Sequence, residues 1–185
     1  MKPALLIIDM LNDFVYGKLK VPGALDIVGN IRSLIGAFKA KQLPTIYVCD
    51  SHVKGVDREL EIWGEHAIRG EWGSEVIDQL KPTPGDIVIV KRRYSGFYAT
   101  DLDLTLKELN VDTVVLTGVA TNVCVQHTAA DAFFRNYDII VVRDATSALS
   151  KEAHEYALDY MMRIYKARIL TTKEVLELIG VQKNE

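Results

Sequence analysis

A cysteine stands at the predicted start of a helix, where a thiol can act as a nucleophile. Cys124 lies in GVATNVCVQHTAADA, directly after the apolar run TVVLT. Unpaired backbone N–H groups and the positive end of the helix dipole lower the pKa of a thiol at such a position, and the same N–H groups can hold an oxyanion. The alternative is a buried structural cysteine. Cys49 ends a different apolar run and is expected to pack in the core.

Two charged residues stand where other apolar runs end. Asp9 follows ALLII, and Lys91 follows IVIV. Close to Cys124, the ammonium group of the lysine would favour a thiolate and the aspartate would carry a proton. Each residue alone could be a polar strand terminus that faces a loop. The three residues together predict a nucleophile, its proton carrier and a cation that supports both.

A carboxylate and two imidazoles occur after the second apolar run. Asp50 and His52 are two residues apart, so on an extended chain their side chains point to the same side, and His66 follows in the same long loop. Three such ligands leave open positions for water or substrate on a divalent metal ion, with zinc as the first choice and iron or manganese next. The alternative is a set of solvated polar loop residues.

Aromatic residues near Asp9 and Lys91 are candidates for the wall of a flat substrate pocket, or equally for loop packing. These residues are Phe14, Tyr94, Phe97 and Tyr98. Two further histidines, His127 and His154, are interpreted as structural or exposed. No organic cofactor is expected, since GVATNV departs from the GxGxxG dinucleotide motif and GxxxxGK[ST] does not occur.

Short apolar runs alternate with segments of helical period along the chain. The runs are rich in Val, Ile and Leu, which is typical of strands buried on both faces. They cover 3–9, 44–49, 86–91, 113–117, 138–142 and 167–170. Helices are predicted over 24–41, 74–80, 101–109, 122–136, 151–164 and 173–179. Thr171 and Glu174 fit a capping box at the start of the last helix.

This alternation predicts an α/β fold, a single three-layer α/β/α domain over 1–185 with a mostly parallel, Rossmann-like sheet. Reactive sites in such sheets lie outside the carboxyl ends of the strands. Asp9, Asp50, Lys91 and Cys124 all follow predicted strands, so different strands deliver an acid, a base and a thiol to one edge.

Length and charge exclude several classes of protein. The 185 residues fit one domain, and 22 Lys and Arg against 25 Asp and Glu give a net charge of -3, so no strong positive field attracts nucleic acid or anionic lipid. The first apolar run is too short to span a membrane. Two cysteines indicate reduced thiols in a cytoplasmic protein. We expect a small-molecule substrate as partner, no nucleic acid and no membrane, and a homo-oligomer.

Taken together, these segments resemble the isochorismatase-like cysteine hydrolases. The matching pieces are IIDMLNDF, DSH with EHAIRGEWGSE, Lys91 with YSGFYATDLD, and TGVATNVCVQHTAADAFFRNY with VVRDATSA. They cover nearly the whole chain, and their combination is specific. Within the family the chain is most similar to nicotinamidases, with proteins related to N-carbamoylsarcosine amidase next. Ser51 is a departure, since nicotinamidases commonly carry an aromatic residue there.

The resemblance implies a catalytic triad of Asp9, Lys91 and Cys124. It also implies a cis peptide bond between Val119 and Ala120 that shapes an oxyanion hole, with the N–H groups of Ala120 and Cys124 as donors. The reaction it implies is hydrolysis of an amide through a thioester on the cysteine.

The resemblance further implies a divalent metal ion held by Asp50, His52 and His66, which would bind the ring nitrogen of nicotinamide. The expected function is therefore conversion of nicotinamide to nicotinate and ammonia. An N-carbamoylsarcosine amidase, or another carbamoyl or ureido amide hydrolase, is the alternative within the family. A non-catalytic binding protein on the same fold is the alternative from a different class.

Overall fold

A sheet of six parallel strands forms the centre of the computed structural model, which describes residues 1–181. Residues 182–185 of the predicted domain lie outside the described part. The strands are β1 (Pro3–Ile8), β2 (Thr45–Asp50), β3 (Ile87–Lys91), β4 (Thr113–Val119), β5 (Asp138–Ser147) and β6 (Arg168–Leu170). The prediction of an α/β fold with a parallel sheet is confirmed.

The strand order β3-β2-β1-β4-β5-β6 makes β1 the strand at which the winding of the chain changes direction. At its carboxyl end, Ile8 pairs with Val48 of β2 on one side and with Gly118 of β4 on the other. Where the strand order reverses, the loops that follow two neighbouring strands run in opposite directions, and a crevice opens between them. The residues that follow β1 and β4 therefore meet at one place.

The described residues contain seven α-helices. They are α1 (Asn12–Val15), α2 (Val28–Ala40), α3 (Glu59–Trp63), α4 (Leu102–Glu108), α5 (Gln126–Phe134), α6 (Lys151–Tyr165) and α7 (Thr172–Leu178). The predicted capping box of Thr171 and Glu174 is confirmed at the start of α7. Helices α1 and α3 are single turns, too short to produce a periodic pattern in the sequence.

The helix predicted over 74–80 is wrong. This segment contains two 3₁₀ turns, Trp72–Ser74 and Asp78–Leu80, with extended residues between them. The extended part pairs with the chain that follows β1, because Ile77 N donates to Met10 O at 3.0 Å and Asn12 N donates to Glu75 O at 2.9 Å. These long-range backbone hydrogen bonds replace the helical ones.

The alternating side chains of β1 divide the core into two layers. Leu5 and Ile7 pack with α2 and α7 on one face of the sheet. Leu6 and Ile8 pack with α4, α5 and α6 on the other. This two-sided burial explains the continuous apolar runs of the strands. Among the helices described within residues 1–181, none is long and apolar enough to cross a membrane.

Gly118 allows the carboxyl ends of β1 and β4 to approach closely. Its φ is +99°, and a Cβ at this position would lie 1.9 Å from the carbonyl oxygen of Ile8. A residue with a side chain would therefore meet both backbone strain and a steric clash. The glycine brings the turn that follows β4 against the residue that follows β1.

Candidate active site

Three strand ends bring Asp9, Lys91 and Cys124 together. Lys91 Nζ lies 2.8 Å from Asp9 Oδ2 and 3.6 Å from Cys124 Sγ. It also lies 2.5 Å from Oδ1 of Asp50, the last residue of β2. All four side chains are buried. The ammonium group thus lies between two carboxylates and one thiol. The sequence pattern predicts Asp9 and Cys124 as its neighbours, and Asp50 is an additional partner.

The carboxylates decide the charge of this cluster. Burial alone would lower the pKa of Lys91, but the charges of Asp50 and Asp9 outweigh it and hold that pKa well above its usual value. Burial, together with the charge of Asp50, raises the pKa of Asp9 to about 6, although Lys91 opposes the shift. The lysine therefore stays cationic near neutral pH. The pKa of Asp9 is close enough to neutral pH for its carboxyl group to take up and release a proton.

The thiol of Cys124 is not the low-pKa thiol that its position suggests. Burial raises its pKa well above the usual value, Lys91 opposes this shift, and the charges of Asp9 and Asp50 add to it. Burial, which the position at a helix start does not reveal, therefore opposes the thiolate that the sequence pattern favours. A carboxylate oxygen of Asp9 lies within 4.8 Å of Cys124 Sγ, close enough to receive the thiol proton on a small movement.

The turn that carries Cys124 begins with a non-proline cis peptide bond. This bond joins Val119 and Ala120, so the prediction drawn from the resemblance is confirmed. The turn itself, Thr121–Val125, is π-helical, and α5 begins only after it. The carbonyl oxygen of Ala120 accepts from Val123 N at 3.0 Å and from Val125 N at 3.2 Å. Ala120 and Cys124, the two residues whose N–H groups the resemblance assigns to an oxyanion hole, both line the cavity.

A second cluster lies beside the triad and contains the three predicted metal ligands. Asp50, His52 and His66 each offer one ligand atom, and these three atoms lie within 4.8 Å of one another. All three residues are buried. The rings of the two histidines are edge to face, with centroids 4.8 Å apart.

Both imidazoles are anchored through Nδ1. His52 Nδ1 lies 3.1 Å from Oδ2 of Asp57, and His66 Nδ1 lies 2.8 Å from the carbonyl oxygen of Gly64. Carbonyl and carboxylate oxygens only accept hydrogen bonds, so each Nδ1 carries a hydrogen and each Nε2 remains as a ligand atom. His52 Nε2 has no hydrogen-bond partner in the described part of the chain and lies 3.6 Å from Asp50 Oδ2. These donor atoms fit a divalent cation.

Glu59 is a site residue that the sequence pattern did not reveal. It is buried at the start of α3, with Oε2 3.8 Å from His52 Nε2 and Oε1 without a hydrogen-bond partner in the described residues. Burial and the charge of Asp50 raise its pKa to about 7. It is therefore a fourth group that can bind a cation here. In the sequence it is one acid in a polar loop, so no pattern could single it out.

Two other aspartates, also missed in the sequence, fix the loop that carries the histidines. Asp57 binds His52 and also forms an ion pair with Arg92, which holds the pKa of Asp57 well below its usual value. Asp13 accepts a hydrogen bond from Ala67 N at 2.8 Å, next to His66. Both carboxylates reach their partners across loops, and sequence spacing does not encode such contacts.

A cavity connects the two clusters. Its polar end carries Asp9, Cys124, Asp50, Glu59 and His66. Its other walls are Phe14, Leu19, Val21, Trp63, Tyr94, Val119, Ala120, Val123 and Leu149. Trp63 Nε1 donates to the hydroxyl of Tyr94 at 3.0 Å and so links the loop that carries the histidines to the loop after β3. The apolar and aromatic walls suit a small ligand with an apolar ring.

Two of the four predicted pocket residues lie elsewhere. Phe14 and Tyr94 line the cavity. Phe97 instead is buried in the core, where its ring lies 5.9 Å from that of Tyr137. Tyr98 is 61% exposed on the surface. The loop after β3 turns away from the cavity after Tyr94, so the prediction for Phe97 and Tyr98 is wrong.

The remaining cysteine and histidines lie outside the triad. Cys49 is buried among the apolar residues of one face of the sheet, as expected. His127 is exposed one turn after Cys124. His154 is half-buried, and its Nδ1 lies 2.9 Å from Oγ1 of Thr121 in the nucleophile turn.

The chain matches known proteins along most of its length. The family described as Isochorismatase domain matches residues 3–174. A solved N-carbamoylsarcosine amidase from Thermoplasma acidophilum is 47% identical, with a TM-score of 0.87 over 93% of this chain and 97% of that one. The nicotinamidase PncA from Bacillus subtilis is 32% identical, with a TM-score of 0.87 over 92% of this chain and 99% of that one.

Two other proteins extend this comparison. The ureidoacrylate amidohydrolase RutB from Pantoea ananatis is 28% identical over 209 residues, which cover 98% of this chain and 84% of RutB. The pyrazinamidase from Pyrococcus horikoshii, solved in complex with zinc, is 29% identical, with a TM-score of 0.84 over 92% of this chain and 99% of that one.

Proposed function

The chain belongs to the isochorismatase family, and from that premise we propose that it is a cysteine amidohydrolase that converts nicotinamide and water to nicotinate and ammonia. One observation carries the choice of substrate. The cavity joins a thiol to a group of metal-binding side chains, and its walls between them are apolar and aromatic. An amide on an aromatic ring with a second, metal-binding atom matches these features.

The charges at the cavity favour a neutral substrate. Among the described residues that line it there is no arginine or lysine, and the acids are Asp9, Asp50 and Glu59. Lys91 does not line the cavity, and its positive charge is already offset by the carboxylates of Asp9 and Asp50. A substrate that carries its own carboxylate would meet no free positive side chain. Nicotinamide is uncharged, and its ring can pack against Phe14 and Trp63.

The reaction begins with transfer of the thiol proton. Asp9 accepts the proton of Cys124 as the sulfur attacks the carboxamide carbon, because the raised pKa of the thiol requires a base. The N–H groups of Ala120 and Cys124 hold the oxygen that becomes negative. Asp9 then gives its proton to the leaving nitrogen, the C–N bond breaks, and ammonia departs from a thioester.

Hydrolysis of the thioester uses the same groups. Asp9 accepts a proton from water as the water oxygen attacks the thioester carbon. The C–S bond breaks, the proton returns to Cys124, and nicotinate leaves. Throughout, Lys91 offsets the negative charge of Asp9 and of the sulfur at 2.8 and 3.6 Å. Its contact with Asp50 keeps the ammonium group in place between them.

We propose zinc as the metal ion, with iron or manganese as the alternatives. Asp50, His52 and His66 would hold it, with Glu59 as a further ligand, and the unpaired Nε2 atom of His52 supports this set. When bound, the ion supplies a Lewis acid that orients the ring nitrogen of the substrate. The zinc complex of the pyrazinamidase from Pyrococcus horikoshii is in keeping with this choice.

A second candidate function is hydrolysis of a carbamoyl or ureido amide. The 47% identity with the N-carbamoylsarcosine amidase from Thermoplasma acidophilum favours it. N-carbamoylsarcosine and ureidoacrylate each carry a carboxylate, so a metal ion would have to supply the positive charge that the side chains of the cavity wall lack. The two candidates therefore differ in the charge of the substrate they accept.

We also propose that the protein is cytoplasmic. Both cysteines are unpaired and buried, which is in keeping with a cytoplasmic protein that works on a small molecule. Association of the chain into a homo-oligomer, and the absence of nucleic acid and membrane from its partners, stay predictions.

Ammonia release from a set of amides tests the proposed function. Nicotinamide, pyrazinamide, N-carbamoylsarcosine and ureidoacrylate are compared by kcat/KM, with and without a chelator. We expect nicotinamide to exceed the two anionic amides at least tenfold, and the chelator to remove most of the nicotinamide turnover. A preference for N-carbamoylsarcosine, or nicotinamide turnover that the chelator leaves unchanged, would contradict the proposal.

Two cysteine variants accompany this measurement as a matched pair. Cys124→Ala should abolish turnover, and Cys49→Ala should retain it, since Cys49 packs in the core. Equal loss in both variants would mean that the loss comes from unfolding, which circular dichroism would detect. Residual activity of Cys124→Ala within tenfold of wild type would exclude this residue as the nucleophile.

A further inference from the structure

A part-buried side-chain hydrogen bond joins the nucleophile turn, Thr121–Val125, to helix α6. Thr121 follows Ala120 directly, and its side chain is fully buried. Its Oγ1 lies 2.9 Å from Nδ1 of His154, which is in the first turns of α6. The neighbouring Asn122 accepts a weaker hydrogen bond at 3.4 Å from Leu149 N, just before α6. The turn is thus held from the same side at two successive residues.

His154 is not needed to begin helix α6. Ser150 already caps this helix, since its side chain accepts from Ala153 N at 3.1 Å. The imidazole is therefore free to serve another element. Burial keeps the pKa of His154 below its usual value, although Glu155 and the backbone of Arg143 oppose the shift. A neutral imidazole can both accept and donate, so it suits a buried hydroxyl.

The position of Thr121 makes this hydrogen bond relevant to catalysis. It lies between Ala120 and Cys124, the cavity-lining residues whose N–H groups the proposed function assigns to the oxyanion. A buried hydroxyl without a hydrogen-bond partner is unfavourable, so loss of His154 would let the turn shift to find another partner. Misplacement by about 1 Å at a reacting centre can lower a rate about 100-fold.

We propose that His154 is a positioning residue, which fixes the oxyanion donors of Ala120 and Cys124 through the hydroxyl of Thr121. The inference rests on the nucleophile and oxyanion hole of the proposed function, but not on nicotinamide as the substrate. It assigns His154 to stabilisation of charge in the transition state, with no part in binding the substrate ring or in activating the thiol.

Two reagents for Cys124 separate these roles. Acetyl transfer from p-nitrophenyl acetate forms a C–S bond at a carbonyl carbon, releases p-nitrophenolate and passes the thiol proton to Asp9, so it needs the oxyanion hole. Alkylation by iodoacetamide displaces iodide at a saturated carbon, so it needs the thiol and its base but no oxyanion donors. Cys124→Ala gives the background of both reactions, and neither depends on the natural amide.

The variants are His154→Leu and Thr121→Val, which remove the hydrogen bond, and His154→Asn and Thr121→Ser, which can retain it. We expect the first two to slow acetyl transfer about 10- to 100-fold, with alkylation within about threefold of wild type. The second two should stay within about threefold in both reactions. Because the pair acts as one unit, the double variant His154→Leu/Thr121→Val should lose no more than either single variant.

Tyr156→Ala, an exposed position on the same helix, serves as the control for general damage to α6. The proposal fails if His154→Leu keeps normal acetyl transfer. It also fails if acetyl transfer and alkylation fall together, or if His154→Asn is as slow as His154→Leu. If His154→Leu does not fold, Thr121→Val tests the same hydrogen bond with the same expected and contradicting results. Normal acetyl transfer without hydrolysis of nicotinamide would overturn the proposed substrate and leave this inference standing.

Discussion

Asp50 belongs to both clusters of the site. Its Oδ1 atom contacts Lys91 Nζ at 2.5 Å, and its Oδ2 atom lies 3.6 Å from His52 Nε2. One carboxylate thus fixes the cation that supports the thiol and also offers a ligand atom to a metal ion. Charge at the metal-binding group and charge at the triad are therefore coupled through a single residue.

The protonation of Asp9 should control the reactivity of Cys124. The pKa of Asp9 is raised to about 6, and its carboxylate form must accept the thiol proton. The rate of alkylation should therefore fall as the pH is lowered through about 6. The measurement is the pH dependence of iodoacetamide labelling of Cys124 in chelator-treated protein.

Asp9→Asn is the control for this pH dependence. The variant should react slowly at every pH and should lose the inflection near pH 6, because asparagine cannot accept the proton. An unchanged inflection in Asp9→Asn would assign it to another group. A rate in wild type that rises only at alkaline pH, with no inflection near 6, would mean that the thiol ionises without the help of Asp9.

Among the elements, the buried strands were predictable and the single-turn helices were not. A strand such as β1 is apolar on both faces, and that pattern survives in the sequence because the whole segment is buried. The segment at 74–80 had a helical spacing of apolar residues, but it pairs with the chain after β1 instead. A contact between segments so far apart in the sequence overrides a local pattern.

Gly118 allows the carboxyl ends of β1 and β4 to approach each other, and Gly118→Ala should disrupt this approach. The added Cβ would lie 1.9 Å from Ile8 O at a φ of +99°. We expect the free energy of unfolding to fall by roughly 3 kcal/mol or more, with loss of turnover, since the ends of β1 and β4 would separate. Urea denaturation measures the change.

Gly36→Ala provides the matched comparison. Gly36 lies within α2, and a Cβ there would meet no atom within 4 Å. This change should raise the free energy of unfolding by about 0.4–1 kcal/mol, because alanine restricts the unfolded chain and favours the helix. Equal effects of the two substitutions would contradict the close approach at Gly118.

For the whole molecule, the strand order explains how much of the site the sequence could reveal. Asp9, Lys91 and Cys124 each lie at or after the carboxyl end of a strand, so the rule that sites lie at the carboxyl ends of parallel strands selected them. Glu59 and Asp57 lie in the loop between β2 and β3, and their roles depend on how that loop folds. Loop conformation leaves no periodic pattern, so the sequence could not assign them.

A bound metal ion should stabilise the whole chain. With free zinc at about 100 times its Kd, binding adds about 2.7 kcal/mol, which corresponds to a rise in Tm of roughly 5–10 °C for a domain of this size. Differential scanning calorimetry measures the shift. His66→Ala should lose it, while His127→Ala, which removes an exposed histidine, should keep it. Equal shifts in these two variants would contradict the metal site.

Mass spectrometry of acid-quenched enzyme during turnover tests most directly whether Cys124 forms a nicotinoyl thioester. We predict that the peptide containing Cys124 gains the mass of a nicotinoyl group when nicotinamide is the substrate. The peptide containing Cys49 should remain unmodified, and the adduct should be absent from Cys124→Ala. Steady turnover of nicotinamide with the group on another residue, or a carbamoyl adduct from N-carbamoylsarcosine with none from nicotinamide, would contradict the proposed function.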